Sequence, residues 1–312
     1  MSQPAAIIDL GTNTFHLLIA EPQDCYFSAI HKESLVMKIG QGGISQGLLT
    51  GDAYQRTIEA LAHFRQVIDQ HGVSIERVFA TATSAIRNAR NGAQLVRDIE
   101  AKTGIRVEII NGDKEAEYIY QGVKASLALG QSRSLIMDIG GGSVECIIGN
   151  DTEINWKQSF EIGAQRLLDL FVSTDPISSQ SITALNDYLA EKLIPLTEAV
   201  RQYQPQTLVG SSGSFDTLAE IHYLSIGQEY DEDKQTAFSL PIQAYFQISH
   251  QLLTFNQQER LQIPGISAMR VDMIVVASCL INFALQQYPL QAHPIRVSSY
   301  ALKEGVMQSL LS

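Results

Sequence analysis

Two short segments of this chain carry a carboxylate at the end of an apolar run and begin a glycine turn two residues later. The first is Asp9, closing the run at 5–9 (AAIID) and followed by Gly11, Thr12, Asn13 and Thr14. The second is Asp138, in the run at 135–139 (LIMDI), followed by Gly140, Gly141, Gly142 and Ser143. An aspartate in that position suits a hydrated divalent cation, and a glycine and hydroxyl turn offers a concave set of N–H groups to phosphate oxygens. Two such hairpins would make a phosphate clamp. Gly-Thr-Asn is also an ordinary hairpin turn, so the first segment alone leaves both readings open. Three successive glycines forfeit chain entropy, and close approach of backbone to a ligand is a frequent reason to tolerate that.

Further charged residues stand near these turns. Glu145 lies among Val144, Cys146, Ile147 and Ile148, where a carboxylate needs a partner. That partner is either Mg²⁺ with its water shell or a salt bridge across the sheet. Asp138 is the stronger metal candidate, with Asp9 as a contact to the same ion through water. Ser212, Gly213 and Ser214 enter a helix and offer N–H groups to an anion, although Ser214 as a simple N-cap explains the composition nearly as well. Glu115 sits in a helix start, Asp113-Lys114-Glu115-Ala116-Glu117, where Asp113 can cap. Acids there are favoured by the macrodipole by about 0.3–1 kcal/mol, which alone accounts for it. Arg87, also at a helix start, opposes that dipole, so a purely structural role is less comfortable.

Periodicity supplies the elements that must position these residues. Runs at 5–9 and 15–20 predict a hairpin, followed by a β run near 30–38. Apolar positions from 52 to 70 recur at helical spacing, with Asp52 as cap and Gly72 as stop. Strand 76–81, helix 83–103, strand 105–110 and helix 113–126 complete an alternating half. The opening pattern then returns at 135–148, followed by helices at 163–171 and 178–203, strand 206–210, helices 214–224, 241–254 and 267–288, strand 294–298 and helix 300–311. A repeat this long is a domain duplication, since solenoid units run ~20–50 residues. Two α/β halves facing across a cleft are expected, with the hairpin turns at its floor.

Bulk properties agree. Single cores stop growing near ~250–300 residues, and this chain has 312, of which 45% are hydrophobic and 18% charged. A net charge of −11 argues against coating nucleic acid, which needs a basic face. Anionic small substrates remain open, because charges beyond about 8–10 Å are largely screened. The first residues lack the basic segment and apolar run of a secretory signal, so a cytoplasmic location is expected. The apolar stretch at 273–285 falls short of the ~20 residues that cross a bilayer and reads as a buried helix, so no membrane partner is expected. Cys25, Cys146 and Cys279 fit neither a disulfide framework nor a zinc site and are expected as reduced core residues.

DLGTNTFHLLI followed about 130 residues later by DIGGGSVE resembles the paired phosphate motifs of actin-like ATPases, sugar kinases and, most closely, the exopolyphosphatase/guanosine-pentaphosphate phosphatase (Ppx/GppA) family. Stretches at 82–91 (ATSAIRNARN), 110–122 (INGDKEAEYIYQG), 209–221 (VGSSGSFDTLAEI), 263–274 (IPGISAMRVDMI) and 297–307 (VSSYALKEGVM) resemble that family's segments in order. The resemblance implies a duplicated actin-like (ribonuclease H-like) α/β fold. Its lobes would be 1–124 and 125–312, with a last helix at 299–312 packing on the first. It implies Mg²⁺-dependent hydrolysis of terminal phosphoanhydrides, of inorganic polyphosphate or of guanosine pentaphosphate. Glu115 then matches the general base and Arg87 a phosphate-contacting arginine. Lys38, Arg166 and Arg270 are secondary phosphate candidates, the last two equally open to surface or helix-pairing roles.

The chain also departs from the family. His16 and Lys303 stand where arginines are usual, and Lys38 near another such place, which puts chain-length preference in doubt more than the reaction. A core histidine accounts for His16 equally well. Longer members append helical domains after the last shared segment, so reduced processivity on long polymers is expected here. A homodimer is implied by resemblance alone. Two other readings stand beside this one: an ATP-dependent kinase or ATPase with an adenosine contact at 210–214, and a non-catalytic sensor of a phosphorylated ligand.

Overall fold

The computed structural model describes residues 3–23 and 26–311, so Cys25, expected in the core, lies outside the described residues. In chain order the elements open with β1 (Ala5–Leu10), β2 (Thr14–Gln23), β3 (Tyr26–Val36), α1 (Gly51–Gln70), β4 (Val78–Ala82), α2 (Ser84–Arg87), α3 (Gly92–Thr103), β5 (Val107–Ile109) and α4 (Gly112–Ser126). The second series is β6 (Ser134–Ile139), β7 (Val144–Gly149), β8 (Ile154–Phe160), α5 (Ala164–Phe171), α6 (Ser179–Lys192), α7 (Ile194–Tyr203), β9 (Thr207–Ser211) and α8 (Gly213–Ser225). It closes with β10 (Ala237–Leu240), α9 (Ile242–Thr254), α10 (Gln257–Arg260), α11 (Met273–Gln287), β11 (Ile295–Ser298) and α12 (Leu302–Ser309).

One sheet has the strand order β3-β2-β1-β4-β5, and the other, read the same way, β8-β7-β6-β9-β11-β10. In each, an antiparallel trio continues into parallel strands. This is one topology used twice, the duplicated actin-like (ribonuclease H-like) α/β fold, with β10 added antiparallel at one edge. The chain separates into two compact units, one made of residues up to Ala125 and from Ala301 onward, the other of Ser126–Tyr300. Each has its own apolar core, and β1, β6 and β7 read as near-continuous buried runs because helices cover both faces of a central strand. Helix α11 is buried along most of its length. Among the described residues no helix is long and apolar enough to cross a membrane.

Helix ends depart from expectation in one consistent way. Thr50, and not Asp52, caps α1 by accepting from the N–H of Ala53 at 3.2 Å, while Asp52 sits inside the first turn and pairs with Arg56. Asn111, and not Asp113, accepts from the N–H of Lys114 at 2.8 Å. Ser212, not Ser214, is the N-cap residue of α8, with φ of 64° and no side-chain cap bond. The expected helix 83–103 is broken between α2 and α3, where the Asn91 amide side chain brackets Leu49, accepting from its N–H at 3.0 Å and donating to its carbonyl at 2.9 Å. The helix expected at 178–203 divides at Leu193, just before Pro195. That expected at 267–288 starts only at Met273.

Helix α12 crosses α4 at glycines. A Cβ on Gly305 would stand 1.7 Å from the Tyr118 carbonyl oxygen, and one on Gly122 would stand 2.0 Å from that of Ala301. Only hydrogen fits at that crossing, which fixes the helix that carries Glu115.

Candidate active site

The first unit gathers its candidates at the carboxyl ends of its parallel strands, the usual ligand edge of such sheets. Strand β1 ends at Leu10 and the turn runs through Gly11, Thr12 and Asn13, the last two buried. The Asn13 carbonyl accepts from the N–H groups of Met37 at 2.8 Å and Lys38 at 3.0 Å, and that of Thr12 from Gly40 at 3.3 Å. Lys38 is thereby brought to the turn, in a left-handed conformation with φ of 47°, uncommon for a residue with a Cβ. Thr14 begins β2. The Leu10 carbonyl also takes the N–H and the hydroxyl of Thr83, each at 3.3 Å, which sets α2 against the end of β1.

From α2, Arg87 reaches the start of α4. Its Nη1 lies 2.6 Å from Glu115 Oε2 and 3.3 Å from the Ile110 carbonyl. The side chains are 15% and 8% exposed. A buried pair is a poor way to gain stability, because desolvation offsets most of the Coulomb attraction. Its retention at a ligand edge is what a site for a polyanion and a proton acceptor would require.

The second unit repeats the strand-end turn with different chemistry. The carbonyls of Gly140, Gly141 and Gly142 accept from the N–H groups of Ala164, Gln165 and Gly163 at 2.9, 2.9 and 3.2 Å, which locks the turn onto the start of α5. Among the described residues no backbone carbonyl takes the N–H of Gly141 or Gly142. Gly163 is required behind the turn, since a Cβ there would lie 2.4 Å from the carbonyl carbon of Gly142. Arg166 donates from Nε to the Gly142 carbonyl at 2.8 Å and pairs with Glu161 at 2.9 Å, so it joins the turn from behind. Arg270 holds the start of α8, donating to the Gly213 carbonyl and, at 2.8 Å, to Thr217 Oγ1. Ser143 is buried, and the Ser212 hydroxyl donates to the Ile139 carbonyl at 3.3 Å. Ser214 lies one residue inside α8.

Asp138 and Glu145 are directly opposite each other across β6 and β7, 6% and 1% exposed. Like charges so placed repel. Asp138 Oδ2 accepts from Ser211 Oγ at 2.5 Å and Glu145 Oε1 from Ser159 Oγ at 2.6 Å. No group of three or more His, Cys, Asp or Glu converges as a metal cage among the described residues. Two oxygen donors on one face fit Mg²⁺ all the same, because that ion keeps several waters and commonly binds one or two carboxylates plus substrate phosphates. Cys146, the next residue, is buried, and burial, then the Glu145 carboxylate, push its thiol well up. It stays neutral and on the opposite face of the strand. Cys279 is also buried, its thiol pushed up to about 12 by burial.

Asp9 takes the same place in the first sheet, and the residue opposite it is His16. The His16 Nδ1 lies 2.7 Å from Ser34 Oγ. His16 is half-buried, hydrogen-bonded and part of a polar row. Lys303 pairs with buried Glu304 at 3.0 Å on α12. Sequence reasoning missed Ser34, Ser159, Ser211 and Gly163. Only Ser211, beside Ser212, carried a nearby signal.

A crystal structure of an exopolyphosphatase from Cytophaga hutchinsonii is 41% identical, covers 99% of this chain and 98% of its own, and superposes with a TM-score of 0.95. The Aquifex aeolicus member of the Ppx/GppA family is 25% identical over 99% of this chain and 97% of that one, with a TM-score of 0.81. The guanosine-5'-triphosphate,3'-diphosphate pyrophosphatase of Photobacterium profundum is 28% identical over 98% of this chain, which spans 59% of that relative's length. Both strand-end turns, the Arg87–Glu115 pair and the Asp138–Glu145 pair lie within or beside the span, residues 18–312, matched by the profile of the Ppx/GppA phosphatase family, and the chain belongs to that family.

Proposed function

We propose that the chain hydrolyses the terminal phosphoanhydride of a phosphate chain, either inorganic polyphosphate or the 5'-triphosphate of guanosine pentaphosphate, with release of orthophosphate. The observation that carries this reading is the buried Arg87–Glu115 pair at the ligand edge of the first sheet. Glu115 Oε2 accepts a proton from the attacking water as its oxygen bonds to the terminal phosphorus, and the bond from phosphorus to the bridging oxygen breaks. General bases in this role contribute about 10²–10⁴-fold. Arg87, a planar fork with donors for more than one oxygen, holds Glu115 and takes a phosphoryl oxygen beside it.

In the second unit the N–H groups of the Gly140–Ser143 turn are the proposed phosphate contacts, and in the first unit those of the Gly11–Thr14 turn, with Lys38 adding a point charge. Ser212, Gly213 and Ser214 offer a further contact for phosphate. Arg166 and Arg270 act by fixing the Gly142 and Gly213 backbones. Asp138 and Glu145 would hold Mg²⁺, which when bound offsets charge on the phosphates and on the two carboxylates themselves. Asp9 remains a candidate for a water-mediated contact to a cation.

The test is orthophosphate release from polyphosphate, guanosine pentaphosphate and ATP, with Mg²⁺ and with chelator. Release from one of the first two that stops on chelation is expected. Turnover of ATP alone would favour a kinase or ATPase, and binding without turnover a sensor.

A further inference from the structure

We infer that His16 is the residue that limits this chain to one divalent-cation site, and that the first sheet is a ready frame for a second site that lacks only a carboxylate. The inference rests on the cation reading of Asp138 and Glu145. In each sheet the strand register sets four side chains in a row on one face. In the first sheet the row is Ser34, His16, Asp9 and Thr81. In the second it is Ser159, Glu145, Asp138 and Ser211. Position by position the rows match in strand and direction, each with a hydroxyl at either end and an aspartate third, and the charged group differs at one place, where an imidazole replaces the Glu145 carboxylate. Even the outer hydroxyl is kept, 2.7 Å from His16 Nδ1 in one row and 2.6 Å from Glu145 Oε1 in the other.

Side chains opposite one another on neighbouring strands have Cβ atoms about 4.5–5.5 Å apart, so an opposed pair can bracket one ion. In the second row both members are hard, anionic oxygen donors, the set that Mg²⁺ selects. In the first row Asp9 faces a nitrogen base that carries no negative charge in either protonation state. The inner hydroxyl differs as well: Ser211 donates to Asp138 at 2.5 Å, whereas the Thr81 hydroxyl turns to the Ile8 carbonyl at 3.4 Å. With one carboxylate and an imidazole, and no substrate phosphate to supply further oxygens, this row holds no Mg²⁺ of its own. The same row has become a cation site in one copy and, with His16 in place of a carboxylate, a row without a directly held ion in the other.

The experiment counts bound Mn²⁺, standing in for Mg²⁺, on the intact chain by the paramagnetic resonance of the unbound ion, and repeats the count by Mg²⁺ calorimetry. One ion is expected for the wild type, one for His16→Gln, none for Glu145→Gln, two for His16→Glu and one for His16→Glu combined with Glu145→Gln. Circular dichroism melts check folding, and His16→Asp repeats the test should His16→Glu fail to fold. Two ions on the wild type, or one ion on folded carboxylate variants at position 16, overturns the inference and leaves the cation reading intact. No ion on the wild type overturns both.

Discussion

Facing Asp9 in the first sheet is a histidine, while facing Asp138 at the same register of the second is a glutamate. The surroundings differ in step. The first turn is closed by the backbone of residues 37–40, and Arg87 and Glu115 meet beside the strand ends. The second is closed by the start of α5 and presents successive glycine N–H groups beside two buried carboxylates. One topology used twice therefore does not imply one chemistry used twice. The scaffold repeats because strand pairing and core packing repeat, and the proposed function assigns the strand ends different roles: proton transfer with the first sheet, charge compensation and phosphate cradling with the second.

The comparison can be broken most sharply at Glu115. Replacing it by Gln keeps the shape of the pair with Arg87 but removes the base, and kcat is expected to fall by at least about 100-fold. Steady-state orthophosphate release measures this, and comparable rates in both proteins would take Glu115 out of the mechanism. Next is the glycine crossing that seats its helix. Gly305→Ala puts a methyl into the Tyr118 carbonyl, and overpacking of this kind costs about 1–3 kcal/mol or more, read from urea unfolding midpoints. An unchanged midpoint would mean that α12 can shift without cost.

Smaller effects separate the rows themselves. Ser159→Ala removes a hydrogen bond to the buried Glu145 carboxyl group, with an expected loss of about 1–3 kcal/mol and weaker cation binding. Ser34→Ala removes the equivalent bond to an imidazole at an exposed position and should cost under about 1 kcal/mol, with cation binding unchanged. Equal effects from the two would erase the distinction drawn between the rows.

Much of this was legible in the sequence where the signal is local. A carboxylate before a glycine turn, seen twice, marks both strand-end turns, since strand, turn and next strand are adjacent in the chain. The caps were misplaced for a local reason as well. Thr50, Asn111 and Ser212 each precede another residue able to cap, so composition alone does not distinguish the two. What could not be read depends on register between distant strands. Ser159 sits in a half-buried strand with no regular alternation, INWKQSF, and its position beside Glu145 is set by pairing across the sheet. The needs for Gly163 and Gly305 likewise come from backbones that approach only after folding.

The division of labour is tested most directly by Mg²⁺ titrations of kcat for wild type, Glu115→Gln and Asp138→Asn under one set of conditions. Glu115→Gln should lower the plateau without moving the Mg²⁺ concentration of half-activation, whereas Asp138→Asn should raise that concentration at least about tenfold, the scale of 1.4 kcal/mol. The reverse pattern, with Glu115→Gln shifting the half-activation and Asp138→Asn leaving it in place, would contradict the account.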